Sequence, residues 1–179
     1  MKLTSANADF SNFSGTISAS GRARDGNSAD TSAGTVYLQT AEEGDKCGTV
    51  YITMSAGNRL AGNTNTTEMV SLGYGGDTVA DYRRVKYVVR DYGRAAVNAD
   101  IAAASIEIAD ADSRLDLEGH TLIVKSARVN GVKLATGTYA AGSTVAIGDG
   151  MLGDYLVDTA EGAGGELVVK GGGFAVILR

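Results

Sequence analysis

Short apolar segments alternate along the chain with turns rich in Gly, Asn, Asp and Ser. Short strands between closely spaced turn signals are typical of all-β proteins. Val85, Tyr87 and Val89 occupy alternate positions and would share one face of such a strand. Lys86 and Arg90 would share the other face. The candidate strands are 15–19, 34–40, 48–54, 68–72, 85–90, 104–108, 114–117, 121–125, 127–129, 132–134, 143–147, 166–170 and 174–178.

Helical spacing is rare, and the alanine-rich segment 98–104 is the best helix candidate. Two polar stretches with many turn residues, 21–34 and 55–67, are predicted to be loops that project from the body of the fold. A third predicted loop is 148–153.

A weak internal repeat suggests how the strands are arranged. The sequence GTVYL at 34–38 recurs as GTVYI at 48–52, and later apolar pairs recur at short steps. Steps of roughly seven to ten residues fit one strand and one turn for each side of a parallel β-helix. Hairpins in a β-sandwich would produce the same steps. We expect a single domain over 1–179 that is a right-handed parallel β-helix (a β-solenoid) of short coils, with a β-sandwich as the alternative.

Composition supports an all-β fold and narrows the function. The chain has 25 Gly and no Pro, which suits many tight turns and leaves every backbone N–H available to sheet ladders. The net charge of −5 argues against nucleic acid as a partner. The sequence has no apolar run long enough for a membrane-spanning helix. The single cysteine, Cys47, permits neither a disulfide nor a cysteine-based metal site.

The segment 3–17 resembles a known repeat of bacterial surface proteins. It begins with Leu-Thr, and Asn7, Phe10, Gly15 and Thr16 follow in the same order as in the autotransporter-associated β-strand repeat, with extra residues between Phe10 and Gly15. An apolar strand is expected to follow, as in that repeat.

A second resemblance lies nearer the C-terminal end of the chain. The segment 115–124, LDLEGHTLIV, looks like the strand–turn–strand found near the C-terminal ends of large bacterial surface β-helix proteins. Those proteins continue with a Val-Asn-Gly turn and a Gly-Thr-Tyr step, here 129–131 and 137–139. The resemblance implies an extracellular, cell-surface protein with a structural or adhesive role, and it brings no catalytic residues. No signal peptide is visible at the start, so we expect a piece of a longer surface protein.

Two features with residue types used in catalysis or metal binding are interpreted as ordinary turn residues. His120, the only histidine, lies in a tight turn, and a catalytic role would require a nucleophile or carboxylate partner. The acidic stretch 110–118 could offer oxygen ligands to Ca²⁺, but its spacing matches no EF-hand loop, and Asp and Ser are common in turns. We therefore expect no enzyme activity, no cofactor and no metal site.

The segment 81–94 is the best candidate for a binding surface. It combines three tyrosines with five basic residues. Tyrosine rings can stack on sugars, and arginine can hold carboxylates with two hydrogen bonds. The alternative is an ordinary solvated strand whose long side chains cover apolar neighbours. The predicted binding residues are Tyr82, Arg84, Lys86, Tyr87, Arg90 and Tyr92.

The function expected from these observations is a non-enzymatic structural or adhesive module of a bacterial surface protein. The alternatives are a carbohydrate-binding module and a subunit of a self-assembling filament or sheath. The expected partners are accordingly surface glycans or other copies of the chain.

Overall fold

The computed structural model describes residues 1–5, 8–17, 19, 32–44, 47–54, 65–69, 82–160 and 164–171. These residues form fourteen short strands and a single 3₁₀ turn, Leu152–Asp154, so the all-β prediction is confirmed. The strands are β1 Gly34–Leu38, β2 Thr49–Thr53, β3 Thr67–Glu68, β4 Lys86–Arg90, β5 Arg94–Ala96, β6 Ile101–Ile108, β7 Arg114–Asp116, β8 Thr121–Val129, β9 Val132–Lys133, β10 Gly137–Ala140, β11 Ala146–Ile147, β12 Gly150–Met151, β13 Leu156–Val157 and β14 Glu166–Val169.

From β2 to β8, strands that follow one another in sequence lie in different sheets. The larger sheet has the order β1-β2-β4-β6-β8-β14-β10, with β9 paired to β8, and the smaller, four-stranded sheet has the order β13-β7-β5-β3. Apart from these two, β11 and β12 form an antiparallel pair. From β2 to β14 the neighbours in the larger sheet are parallel, and all pairs of the smaller sheet are parallel. The chain thus runs from the larger sheet to the smaller and back. We call each such return a circuit.

The registers give the length of a circuit. In the larger sheet Lys86 pairs with Ser105, and Ser105 pairs with Ser126. In the smaller sheet Arg94 pairs with Arg114. Each of these steps is about 20 residues, at the short end of the periods known for solenoid repeats. These three steps are nearly equal, so the circuits between β4 and β8 stack directly on one another. The steps from β3 to β5, β2 to β4, β7 to β13 and β8 to β14 are longer, at 28, 37, 41 and 45 residues.

The two longest strands, β6 and β8, each divide into two halves. Buried side chains normally recur at every second residue of a strand, but here Ile106 is the next fully buried residue after Ala103, and Ala127 is the next after Val124. These shifts are aligned, because Ala103 pairs with Val124 and Ile106 with Ala127. We call the second halves, with β2 and β4, face 1; the first halves, with β14, face 2; and the smaller sheet face 3.

Aligned apolar columns fill the space between the faces. Ile52, Val89, Ile108 and Val129 follow one another in register on face 1, and none is more than 1% exposed. Three fully buried residues form the corresponding column on face 3: Ala95, Leu115 and Leu156. Burying one Val, Leu or Ile side chain contributes roughly 1.5–3 kcal/mol, so these columns are a main source of stability.

One end of the stack of circuits lies beyond β8, and antiparallel strands and loop segments cover this end. A two-residue turn with positive φ at Asn130 and Gly131 brings β9 back antiparallel to β8 on face 1. On face 2, β10 pairs antiparallel with β14. On face 3, the Gly142 N–H donates to the Leu156 carbonyl at 3.0 Å. At the other end, β1 pairs antiparallel with β2.

Several details of the sequence-based predictions need correction. The helix candidate 98–104 is wrong, because the chain from Ile101 is strand β6 and its backbone pairs with β8. The candidates 121–125 and 127–129 are one strand, β8. Four strands were missed because they are short or carry small and polar residues: β5, β10, β12 and β13.

Other predictions fall partly or wholly outside the described residues. The candidate strand 174–178 lies outside them, as do most of the predicted loops 21–34 and 55–67. The described residues of the candidate strand 15–19 are not in a strand. The predicted loop 148–153 contains β12 and leads into the 3₁₀ turn.

Candidate functional site

The alternation along β4 separates the predicted binding residues. Lys86 and Arg90 are exposed on the outer side of face 1, as predicted. Tyr87 is only 1% exposed, and its hydroxyl donates to the Met69 carbonyl at 3.1 Å. Burial, with a smaller contribution from Tyr82, raises the pKa of Tyr87. Tyr87 therefore belongs to the core, and its ring is not on the exposed face.

The other predicted binding residues show the same division between tyrosines at the core and basic residues at the surface. Tyr82 and Tyr92 are half-buried and pack against the hydrophobic core. Arg84 is exposed, and its guanidinium lies beside Gly44. The six predicted residues therefore do not form one surface, because the basic side chains point outward while the tyrosines contact the core.

The outer side of face 1 carries an aromatic residue that sequence reasoning missed. The Arg90 guanidinium lies over the Tyr51 ring at 4.6 Å from its centroid, a cation–π contact. Tyr51 pairs with Val88 and is in register with Val36 on the other side. The signal was present in the sequence, because Tyr51 alternates with the inward-facing Val50 and Ile52.

Basic residues recur across this side of the molecule. Lys133 pairs with Arg128, and the Arg128 guanidinium donates to the Gly131 carbonyl at 2.6 Å. Lys125 is exposed at the point where β8 changes from face 2 to face 1. We call five exposed residues the basic strip: Lys86, Arg90, Lys125, Arg128 and Lys133.

Four aspartates on the described circuits hold backbone N–H groups with their carboxylates. Asp110 accepts hydrogen bonds from the Asp91 N–H at 2.7 Å, the Asp112 N–H at 3.0 Å and the Ser113 hydroxyl at 3.0 Å. Asp100 accepts from the Thr121 N–H of the following circuit at 2.8 Å. These carboxylates therefore tie one circuit to the next.

Asp116 and Asp158 do the same between β7 and the segment after β13. Asp116 is 2% exposed and accepts from the Glu118 N–H, the Thr159 N–H and the Thr159 hydroxyl at 3.2, 3.1 and 2.7 Å. Asp158 accepts from the Gly119 and Gly165 N–H groups at 3.1 and 2.8 Å. Within the described residues, no group of three or more potential ligands is arranged to hold a metal ion.

His120 follows a tight turn in which Glu118 and Gly119 both have positive φ. Its Nδ1 lies 3.4 Å from the Asp100 carboxylate, and its side chain is 40% exposed. Burial and the nearby carboxylates of Asp116 and Glu68 raise the pKa of Glu118. The turn position expected for His120 is the one observed.

A cavity of about 720 Å³ lies at the β1 end of the core. Its lining is mostly apolar and includes Tyr82, Tyr87 and Met69.

No protein-family model, curated protein or solved structure matches the chain. Among the residues described, no helix is both long and apolar enough to cross a membrane.

Proposed function

We propose that the chain is a right-handed β-solenoid that serves as a non-enzymatic structural and adhesive module of a bacterial surface protein. The observation that carries the proposal is the parallel stacking of strands in register in both the larger and the smaller sheet, with steps of about 20 residues between β4 and β8. A β-sandwich consists of two antiparallel sheets, so parallel pairing in both sheets favours the solenoid over that alternative.

The use of the polar residues supports a structural role. Asp100, Asp110, Asp116 and Asp158 accept backbone N–H groups across turns and between circuits. A carboxylate that holds its own backbone in this way contributes to the rigidity of the stack. A spacer on a cell surface has to be rigid along its length. Because each circuit contacts only its neighbours, this rigidity depends on the contacts between one circuit and the next.

The resemblance to surface β-helix proteins supports the extracellular location. Its second segment, 115–124, covers β7, the following turn and the first part of β8. The Asn130–Gly131 turn joins β8 and β9, and the step 137–139 lies in β10. The motif thus coincides with the stacked circuits and the beginning of the segment that covers their end.

Deletion of a whole circuit tests the solenoid architecture. Removing 94–113 takes out one complete circuit and leaves Arg114 at the position of Arg94, so β7 and β8 can stack on the circuit before them. A matched deletion of 94–103 removes half a circuit, so that residues of face 1 fall at positions of face 3. We expect cooperative unfolding and a β-sheet circular dichroism spectrum for the first variant alone. Equal loss of structure in both would refute the architecture.

Display on a bacterial cell tests the surface role. The chain is fused to an outer-membrane anchor, and attachment of the cells to polysaccharide-coated and protein-coated surfaces is measured. We expect more attachment with the intact chain than with the half-circuit deletion. Equal attachment of both would leave the adhesive part of the proposal without support.

A further inference from the structure

Charge is distributed unevenly over this acidic protein. The whole chain has 16 basic and 21 acidic residues. Among the described residues, however, the five residues of the basic strip outnumber the three carboxylates identified beside them. Glu43 is paired with Lys86 at 2.8 Å, and Asp91 lies 3.5 Å from Arg90. Glu107 is a further carboxylate there, between Val88 and Arg128 in register.

The basic strip runs across the strands. It extends from β4 over β6 and β8 to β9, and each of these three steps is about 4.8 Å, so the strip is about 14 Å long. Lys86 and Arg90 lie on β4, and Lys125, Arg128 and Lys133 lie on β8 and β9, with Glu107 of β6 between the two groups. Two groups of cations separated in this way match an extended polymer with spaced negative charges better than they match a single small anion.

Two arginines of the basic strip are held in place before any ligand arrives. Arg90 rests on the Tyr51 ring, and Arg128 donates to the Gly131 carbonyl. Side chains that are already ordered lose less conformational entropy on binding. The Arg90 Nε also lies 3.5 Å from Asp91. Guanidinium N–H groups that these contacts leave unused can bind carboxylate oxygens, which arginine holds with two parallel hydrogen bonds.

We propose that the basic strip binds an acidic polysaccharide that carries uronate carboxylates, with the polymer lying across the strands of face 1. Duplex DNA packs its negative charges far more densely along its axis than five separated cations with Glu107 among them can match. A polyuronate has one carboxylate for each sugar ring, and this wider spacing suits the strip. The inference rests on the adhesive role proposed above and names its partner.

Calorimetry with polygalacturonate as the probe tests the proposal. The intact chain is expected to bind polygalacturonate and not neutral dextran. Binding is expected to weaken strongly when NaCl is raised from about 20 mM to about 500 mM, because exposed charges are screened. Equal binding of dextran, or no binding of polygalacturonate at low salt, would overturn the proposal.

Two variants locate the binding surface. The double variant Arg128→Gln, Lys133→Gln is expected to bind polygalacturonate about tenfold more weakly, because it loses two charges of the strip. Lys2→Gln is the control, since Lys2 is exposed and lies beside Gln39 beyond β1. Equal affinity of the double variant and the control would contradict the assignment, as would tighter binding of duplex DNA than of polygalacturonate.

The circuit deletion separates this proposal from the one on which it rests. Suppose that the double variant keeps its β-sheet spectrum, that the deletion of 94–113 remains folded, and that the intact chain does not bind polygalacturonate. Then only the acidic polysaccharide is refuted as the partner, and the structural module stands. If that deletion fails together with its half-circuit control, the structural module itself is refuted.

Discussion

Asp116 offers the most direct test of how the circuits are held together. It is buried and accepts three hydrogen bonds, of which two come from Thr159 on the segment after β13. A hydrogen bond to a charged group contributes about 1.5–3 kcal/mol, and a buried donor left without an acceptor costs about 1–3 kcal/mol. Replacing Asp116 by Ala removes all three bonds at once.

The expected cost is smaller than the sum of three bonds. Thr159 is exposed, so water can replace part of what its donors lose. Removal of the Asp116 charge also relieves Glu118, whose pKa is raised first by burial and then by Asp116. We therefore expect Asp116→Ala to lower the free energy of unfolding by about 3 kcal/mol. Asp116→Asn keeps one acceptor oxygen and is expected to cost about half as much.

Urea unfolding followed by circular dichroism measures these differences. The control is Asp149→Ala, because Asp149 is exposed in the turn between β11 and β12, and its loss is expected to change stability by no more than about 0.5 kcal/mol. If Asp116→Ala destabilises the protein no more than this control, the carboxylate does not brace the circuits and the reasoning fails.

Three further predictions follow from the core and the outer face. Tyr87→Phe is expected to lower the free energy of unfolding by about 1 kcal/mol, because it removes the hydrogen bond to Met69. Polygalacturonate binding, measured by calorimetry, is expected to stay unchanged. A loss of binding would place the Tyr87 side chain in the binding site. Ile108→Ala is expected to cost about 2–5 kcal/mol in urea unfolding, since Ile108 is fully buried between circuits; a cost below about 1 kcal/mol would contradict the stacked column. Burial acts to raise the pKa of Glu43, but hydrogen bonds, first from Lys86, outweigh it and hold that pKa below its ordinary value. The stabilisation by Glu43 is therefore present above the ordinary pKa of a glutamate and is lost as pH falls through the pKa of the folded state. Glu43→Gln should lower the free energy of unfolding, measured by urea unfolding, by up to about 1 kcal/mol at neutral pH and not at acid pH. An equal effect at both pH values would refute the ion pair.

The strand positions with clear alternation were predictable from the sequence. Val85, Tyr87 and Val89 are buried as the pattern predicts, because one face of β4 must exclude water. The phase shifts in β6 and β8 were not predictable, since they depend on alignment between neighbouring circuits. Segment 98–104 shows the consequence: its alanines fit a helix locally, but backbone pairing with β8 decides the structure.

The candidate binding site was predictable only in part for a related reason. Counting the tyrosines and arginines within 81–94 takes no account of the side of the strand on which each side chain lies. In a strand, each step reverses the side, so Lys86 and Arg90 could be assigned to the surface and Tyr87 to the core. Arg128 and Lys133 lie far from that segment in sequence and reach the same face only because later circuits stack in register.

The stacking of circuits restricts which positions of the fold can acquire a binding function. Inward positions must match their neighbours above and below, as Val89 does with Ile52 and Ile108. The described turns that connect circuits use Asp110 and Asp116 as acceptors for backbone N–H groups, so these carboxylates are not free for a ligand. The outer side chains of the strands carry neither constraint. Like charges in register on neighbouring strands repel, but the cost at exposed positions is small because solvent and salt screen them. Charge can therefore accumulate there across successive circuits, and the basic strip lies on such positions in a protein that is otherwise acidic.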